Sequence, residues 1–563
     1  MKGSVLSFAA AGAACLVSVS AAAAPVAVVP PAPTPGQVQS TLPTKPAAPK
    51  TTAPAIGSGP YANPAGVAPG GTAVKVASFD IVGNSVIPEA ELQAQVASYV
   101  GQSLTLAQLY EVADVLTRYY RGKGYGLAYV SLPAQTLSGG AIRFEVIEGR
   151  VNSVNIQGNT RTRDTVLKKR AAGIEVGGVY RDADAEQAVL LMNDLPGVQA
   201  RAVLSPGTTF GTSDLLFNVD EQAASGDVSV DDYGRKAIGR WRVNADLTIN
   251  SLTGSGDQLG AGITHSEGNL LNFGKLSYGL PVGMDGTLTA GFNRAEYHGN
   301  IDVGSSSTPF SGSTQNGSLV YQFPSQRTRA DSLYWGFGIT HNTSKNSTGP
   351  LSSVPTNITL LQITTFKNKV FEDQSYYTLS TSFTTNGKSN DGTKNNAEKA
   401  RLEVDFSGVK AISDYWSFIG LGGLYYSPDA LVDTDEFSFG GPGSVRGYQS
   451  AEVRGDRALS VSAELQRQFP VSPTYSLAWG FFGDSAKAWA KARSLQAAES
   501  KTLTSLGTEL LLNPVARGWN LRLQAAWAVG GYRPSDDPQA LIKPGTHPGD
   551  RGPHLWLTFG TTY

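Results

Sequence analysis

The chain has 563 residues, with 45 Lys and Arg against 46 Asp and Glu and a formal net charge of −1. Only 16% of residues are charged and the mean hydropathy is −0.15. This excludes a broad basic field for nucleic acid, and the absence of a long apolar run after the N-terminus excludes a spanning helix. The many short strand patterns then suit either a soluble all-β protein or an outer-membrane barrel, whose wall is apolar on one face only.

Residues 1–24 read as an export signal. Lys2 gives the positive start, Val5–Val19 is apolar and small, and Ala21–Ala24 offers a cleavage site. Cys15, the only cysteine, lies inside this segment, so the mature chain is expected to have neither disulfides nor a thiolate site. Gly12, three positions before it, argues against a lipid-modified cysteine. Residues 25–72 hold 12 prolines in 48 residues, and the longest proline-free stretch is the seven residues Gly36–Leu42. That composition predicts an extended tether without packed elements.

From Lys75 the texture changes. Val76–Val82 reads as a strand ended by Gly83-Asn84. Pro88 opens a helix with Glu89 and Glu91 in its first turn, as the helix dipole favours. Leu104–Tyr120 is a second helix, with Leu109, Val112, Ala113, Leu116, Tyr119 and Tyr120 on one face. Gly126–Leu132 and Ala141–Ile147 are strands. The same order then recurs: Val151–Gln157 ends in Gly158-Asn159, Arg163–Arg170 and Arg181–Leu195 are helical, and Gln199–Leu204 and Leu215–Val219 are strands. A β-α-α-β-β unit repeated after roughly 75 residues is an internal duplication. The two units, 73–149 and 150–222, resemble POTRA domains, whose exposed sheet edge holds an extended chain by β-augmentation.

Residues 223–563 are dominated by alternation. In Arg240–Asn250, Trp241, Val243, Ala245, Leu247 and Ile249 alternate with Arg240, Arg242, Asn244, Asp246 and Thr248. Leu459, Val461, Ala463 and Leu465 alternate with Ser460, Ser462, Glu464 and Gln466, and Leu521–Val529 behaves alike. Period two with one polar face means strands that separate oil from water. Leu555, Leu557, Phe559, Thr561 and Tyr563 alternate up to a C-terminal aromatic, which resembles the signal that barrel-assembly machinery reads. The segment is long enough for roughly fourteen to eighteen antiparallel strands, and sixteen are expected.

No enzyme constellation emerges. The five histidines have no ligand spacing, Asn386–Ser389 lacks the first glycine of a phosphate loop, and Pro442 breaks a nucleophile elbow at Gly443-Ser444. No catalytic residue, metal or cofactor is expected. The feature that stands out is the loop 433–456, with GGPGSVRGYQS at Gly440–Ser450. Gly440, Gly441 and Gly443 supply backbone freedom around Val445, Arg446, Gly447 and Tyr448.

The barrel segment resembles the transporters of two-partner secretion, the haemolysin secretion/activation type. Asp231–Leu259 is similar to their opening hairpin, Tyr278–Gly283 and Gly291–Gly299 continue the likeness, and Val445–Tyr448 matches their VRGY/F loop. Phe482-Gly483-Asp484-Ser485-Ala486 matches an F-x-D-x-G wall motif, with Ala486 in place of its last glycine. The resemblance implies an inward loop whose Arg446 pairs with a wall carboxylate. Strand parity supplies it independently, because Leu477, Trp479 and Phe481 share one face and Phe482 and Asp484 the other. If the Trp479 face meets lipid, Asp484 points into the lumen and needs a partner there.

The resemblance further implies a transporter in the outer membrane of a Gram-negative bacterium, with POTRA domains in the periplasm. Its expected partners are a secreted exoprotein with an N-terminal secretion domain, outer-membrane lipid, and the assembly machinery during biogenesis; nucleic acid is not expected, and a monomer is. A barrel-assembly or translocation factor of the same superfamily is the alternative, but such proteins generally carry more POTRA units. A passive porin would not need the duplicated periplasmic domains. Some family members hold an N-terminal helix in the lumen; the prolines of the tether argue against one here, so an unplugged barrel obstructed mainly by the Arg446 loop is expected.

Overall fold

Two short strands end alike, and the reason is steric. A computed structural model describes Val38 and residues 72–562, with the exception of 137–138, 304–305, 350, 353–354, 387–388, 391–398, 493–496, 515–517 and 532–552. Gly83 and Gly158 both adopt φ +88, and a Cβ on either would lie 2.4 Å from a carbonyl oxygen, that of Val146 or Val219. Only glycine combines that φ with that approach. The asparagine that follows folds back in both places: Asn84 Nδ2 donates to Ile87 O at 3.1 Å and Asn159 Nδ2 to Thr162 O at 2.8 Å. A glutamate at the end of the last strand closes each turn, Glu148 just past the strand Ala141–Ile147 in the first unit and Glu221 as the final residue of the strand Thr212–Glu221 in the second. Glu148 accepts from Ser85 N at 2.5 Å and Val86 N at 2.9 Å. Glu221 accepts from Thr160 N and Arg161 N, both at 2.6 Å, and from Thr162 N at 2.9 Å. Burial works against the Glu221 carboxylate, but the Thr162 hydroxyl and these donors outweigh it and hold its pKa below the usual value.

Around these turns the first unit runs β1 (Val74–Lys75), β2 (Ser78–Val82), α1 (Glu89–Val96), β3 (Ser103–Leu104), α2 (Leu106–Gly122), β4 (Tyr129–Ser131) and β5 (Ala141–Ile147). The second has β6 (Arg150–Gln157), α3 (Asp164–Arg170), α4 (Asp182–Asn193), β7 (Val198–Pro206) and β8 (Thr212–Glu221). Their sheets have matching orders, β2-β5-β4 and β6-β8-β7, with the first pair parallel in each. The helices cover one face. Leu92, Val112 and Leu116 fill the first core, and Leu167, Val189 and Met192 the second. Gly126, expected to begin a strand, instead serves the junction of the units: a Cβ there would lie 2.4 Å from Asp182 Oδ1. Leu127 of the first unit is buried in the second unit's core, and Asp182 N donates to Gly124 O at 2.9 Å.

Sixteen antiparallel strands then close into a barrel. They are β9 (Ala224–Asp231), β10 (Arg242–Asn250), β11 (Gln258–Ser266), β12 (Leu271–Val282), β13 (Gly286–Val303), β14 (Ser306–Arg327), β15 (Asp331–Thr348), β16 (Thr356–Val370), β17 (Tyr376–Asn386), β18 (Lys399–Ala411), β19 (Trp416–Tyr426), β20 (Arg457–Ser472), β21 (Tyr475–Ala490), β22 (Glu499–Pro514), β23 (Gly518–Gly531) and β24 (His554–Thr562). Parity behaves as the alternation requires. Val243, Leu247, Leu459, Val461, Trp479 and Phe481 face outward and are exposed, while Ser462, Glu464, Gln466, Phe482 and Asp484 face inward and are buried. Closure removes every open edge from the hydrocarbon. The closing pair is short, running from Thr558↔Asp231 to Thr562↔Asp227. Phe559 stacks outward on Trp519, rings 4.9 Å apart; Tyr563 lies outside the described residues.

One expectation fails at a single residue. Val38 is helical and fully buried against Ile238, Leu271, Phe273, Ala295, Tyr297 and Phe310. Leu271 and Phe273 alternate with outward Leu276, so Val38 is on the lumen side. Its place in the chain explains how: Gly36–Leu42 is the longest stretch in which no proline interrupts a helical turn. The export signal and the rest of the tether lie outside the described residues.

The periplasmic turns of the barrel rest on the second unit. Arg327, buried at the end of β14, donates from Nε to Asp194 Oδ2 at 2.9 Å and from Nη2 to Asp194 Oδ1 at 2.7 Å. Tyr334 OH donates to the same carboxylate at 3.2 Å, and Arg163 N donates to Gly254 O at 3.0 Å. Breaking a buried pair from one side is costly, because the other charge stays behind. Asp194→Ala should therefore loosen this contact by about 3–5 kcal/mol. Hydrogen exchange on the full chain should then accelerate in α4 and in the turn 328–330; unchanged protection would show that the pair does not hold the two parts together.

Candidate functional site

The loop between β19 and β20 folds into the barrel and is tied at its base, stem and tip. At the base, the fully buried Asp456 accepts from Leu431 N at 2.6 Å and from Lys491 N at 2.7 Å. Its own N–H donates to Trp489 O at 2.9 Å. The stem is a hairpin of Phe437–Phe439 and Val453–Gly455. Phe437 and Phe439 pack on the Tyr425 ring at 5.0 and 5.4 Å, and Arg454 joins Asp433 at 2.6 Å and Glu436 at 3.5 Å.

The tip turns on glycines. Gly440 and Gly441 adopt φ +115 and +97, and a Cβ on Gly440 would meet Gln449 O at 2.3 Å. Gly443 is not a positive-φ position. Gly447 is needed for proximity: a Cβ there would lie 2.7 Å from Ser505 Cβ and 3.0 Å from Ala528 N. The tip is thus pressed against β22 and β23. Val445 and Tyr448 are buried with Ala486, Ala488 and Leu503, and Tyr448 OH donates to Gly530 O at 3.1 Å. Ala486, which departs from the expected glycine, places its methyl in this apolar cluster.

Arg446 lies at the centre, buried in the wall. Nε donates to Asp484 Oδ2 at 3.0 Å and Nη2 to Asp484 Oδ1 at 2.8 Å, a two-pronged pair. The backbone N–H of Arg446 also donates to Asp484 Oδ2, at 3.1 Å. Nη1 donates to Glu464 Oε2 at 2.8 Å, and Glu509 stands 3.7 Å away. The guanidinium carbon lies 3.2 Å above the Phe482 ring centre, a stacking that lysine could not reproduce. Gly507 leaves room for that ring, since a Cβ there would come within 2.4 Å of it. Ser462 and Ser505 donate to the remaining Asp484 lone pairs at 2.7 and 3.1 Å. Three carboxylates thus surround one guanidinium, with Arg522 3.7 Å from Glu509 as the second cation.

Two further ties come from the ends of the barrel sequence. Trp556 Nε1, on β24, donates to Arg446 O at 2.7 Å. Arg235, in the turn after β9, donates to Ser450 O at 2.7 Å and Ala451 O at 2.9 Å.

The structure therefore brings Val445, Arg446, Gly447, Tyr448, Phe482 and Asp484 together, with Gly440 and Gly441 as the turn. Glu464 was legible from parity as a lumen carboxylate, but its bond to Arg446 was not, and Glu509, Trp556 and Arg235 gave no local signal. Chemically, the site can clamp a loop across the lumen, and each bond in the clamp is reversible.

A family model described as haemolysin secretion/activation protein ShlB/FhaC/HecB matches residues 211–508, and one described as POTRA domain, ShlB-type, matches residues 74–149. The heme/hemopexin transporter protein HuxB of Haemophilus influenzae (strain 86-028NP) is 25% identical over 424 residues, 71% of this chain and 73% of that protein. The outer membrane transporter CdiB of Escherichia coli is 25% identical over 418 residues, 70% and 69%. The solved structure of CdiB from Escherichia coli superposes with a TM-score of 0.70 at 21% identity, over 90% of this chain and 94% of that one.

Because Asp484 receives the two-pronged pair, a backbone N–H and two hydroxyls, its neutralisation should release the tip more than that of Glu464. Hydrogen bonds to charged groups contribute about 1.5–3 kcal/mol each. Asp484→Asn should thus deprotect the amides of residues 440–451 strongly in hydrogen exchange, and Glu464→Gln weakly; equal effects would contradict the ranking.

Proposed function

The chain belongs to the haemolysin secretion/activation family, and from that premise we propose how its parts divide the work. It is an outer-membrane transporter of two-partner secretion, which passes an exoprotein from the periplasm to the cell surface. The family match favours this over the assembly-factor reading.

Residues 73–149 and 150–222 act as two POTRA domains that receive the exoprotein's N-terminal secretion domain as an added strand. Of the edges, β7 suits this best: it is nine residues long, whereas β4 has three. Its pairing is with β8; on the other side the Asn193 side chain already holds the N–H and C=O of Ala200, so an extended chain would add along Ala202–Leu204. Docking of the second unit on the turns of β14 and β15 keeps the captured strand at the barrel entrance.

The exoprotein then threads the lumen unfolded. The loop tip stands in its way, so secretion requires the tip to move. The observation that carries this reading is the Arg446–Asp484 pair, which holds a glycine-hinged tip against the wall by contacts that reform. In this account the clamp seats the loop at rest and seats it again after passage, and folding of the exoprotein outside gives the movement its direction. The transporter acts as a monomer, and barrel-assembly machinery inserts it.

Arg446→Ala is expected to lower secretion of the cognate exoprotein about tenfold, which corresponds to roughly 1.4 kcal/mol of lost positioning. Heat-modifiable migration of the barrel should persist; normal secretion by a folded variant would sink the proposal. Combining Arg446→Asp with Asp484→Arg tests direct pairing, and partial recovery over either single variant is the expected result.

A further inference from the structure

The outer wall carries cations at both ends of its apolar band. Along β20 the outward side chains are Arg457, Leu459, Val461, Ala463, Leu465 and Arg467. At about 3.4 Å per residue and a tilt of about 40°, the interval from 457 to 467 rises roughly 26 Å, close to the ~25 Å outward apolar band of such barrels. Each arginine stands opposite an aromatic residue of β19, Arg457 with Tyr426 and Arg467 with Trp416. Their guanidinium carbons lie 4.8 and 5.5 Å from those ring centres. These pairs mark the two headgroup levels.

The levels are unequal. The outer one, beside the base of the inward loop, has a second cation on the adjoining strand, whereas at the inner one Lys410 is already paired with Asp373. Lys487 on β21 is outward and exposed, with Nζ 5.2 Å from the Trp489 ring centre. Trp489 is the cross-strand partner of Arg457 and Lys487 that of Leu459. The two cations are therefore diagonal neighbours, about 7–8 Å apart at the backbone. Among the described residues neither has a carboxylate partner; Arg457 Nε donates to Ser427 O at 3.2 Å. Unpaired cations at a lipid boundary are unfavourable unless an anion meets them. Two cations at this spacing fit between them one phosphate, and Trp489 and Tyr426, each with a cation over its ring, stay exposed enough to offer aromatic surface to a sugar ring.

We propose that Tyr426, Arg457, Lys487 and Trp489 form a binding site for the phosphorylated glycolipid of the outer leaflet, the lipid A portion of lipopolysaccharide. The phosphate sits between Arg457 and Lys487, and the sugar lies along Trp489. The site adjoins Asp456, which ties the base of the loop, so the lipid also braces the wall from which the loop descends.

The test is native mass spectrometry of the full-length protein in detergent, titrated with diphosphoryl lipid A, its dephosphorylated counterpart, and phosphatidylglycerol. Diphosphoryl lipid A should bind most tightly. With a contribution of the usual size from each charge, R457Q combined with K487Q should weaken it roughly thirtyfold, and Lys487→Gln alone roughly fivefold. Arg467→Gln, at the other headgroup level, should leave it unchanged. Heat-modifiable migration checks folding, and Lys487→Gln, an exposed change, supplies the answer if the double variant does not fold. The proposal is overturned by undiminished binding to folded variants, by an equal loss in Arg467→Gln, or by binding of the dephosphorylated lipid or phosphatidylglycerol as tight as that of diphosphoryl lipid A.

Discussion

Burying a guanidinium is tolerable only when its donors find acceptors, and Arg446 is built into the wall on those terms. Five hydrogen bonds from its side chain and backbone N–H reach Asp484, Glu464 and Ser462. Much of the nearby sequence follows from that one requirement. Gly447 and Gly507 allow the close approach, Phe482 gives the stacking surface, and the serines complete the coordination of Asp484. The carboxylates in turn need the cation, since like charges this close repel one another without it. The loop and the wall are thus mutually dependent: neither is satisfied alone.

That dependence separates what was legible in the sequence from what was not. Strand parity is local, so the outward set of β10, β20 and β21 and the inward aim of Asp484 could be read directly. The duplication was legible because Gly83-Asn84 and Gly158-Asn159 are punctuation that only particular backbone geometries require. The glutamates that close those turns, Glu148 and Glu221, went unread, as each acts 60 or so residues from the turn it completes. Glu509, Trp556 and Arg235 were hidden for the same reason: the closed barrel, not sequence spacing, brings them to the loop tip. Val38 shows the limit of composition. Proline density argued against a helix in the tether, yet Val38 is helical and buried.

The periplasmic side obeys a different logic from the lumen. There, backbone donors and carboxylates at turns hold domains to each other and to the barrel, as in Asp182 N to Gly124 O and Arg327 to Asp194. These contacts join turns rather than threading a pore, so the strand capture proposed at β7 need not disturb them. In the lumen, by contrast, the contacts that satisfy the loop are the same ones that obstruct passage.

The ties from Trp556 and Arg235 add an order in time. One comes from the last strand and the other from the turn after the first, yet both end on the loop tip within residues 446–451. The seat of the tip is therefore incomplete until both termini of the barrel sequence stand side by side. A nascent barrel lacking its final strand has the arginine and the carboxylate but not the finished cradle. Seating of the loop is in this sense a receipt for closure, issued by the fold itself.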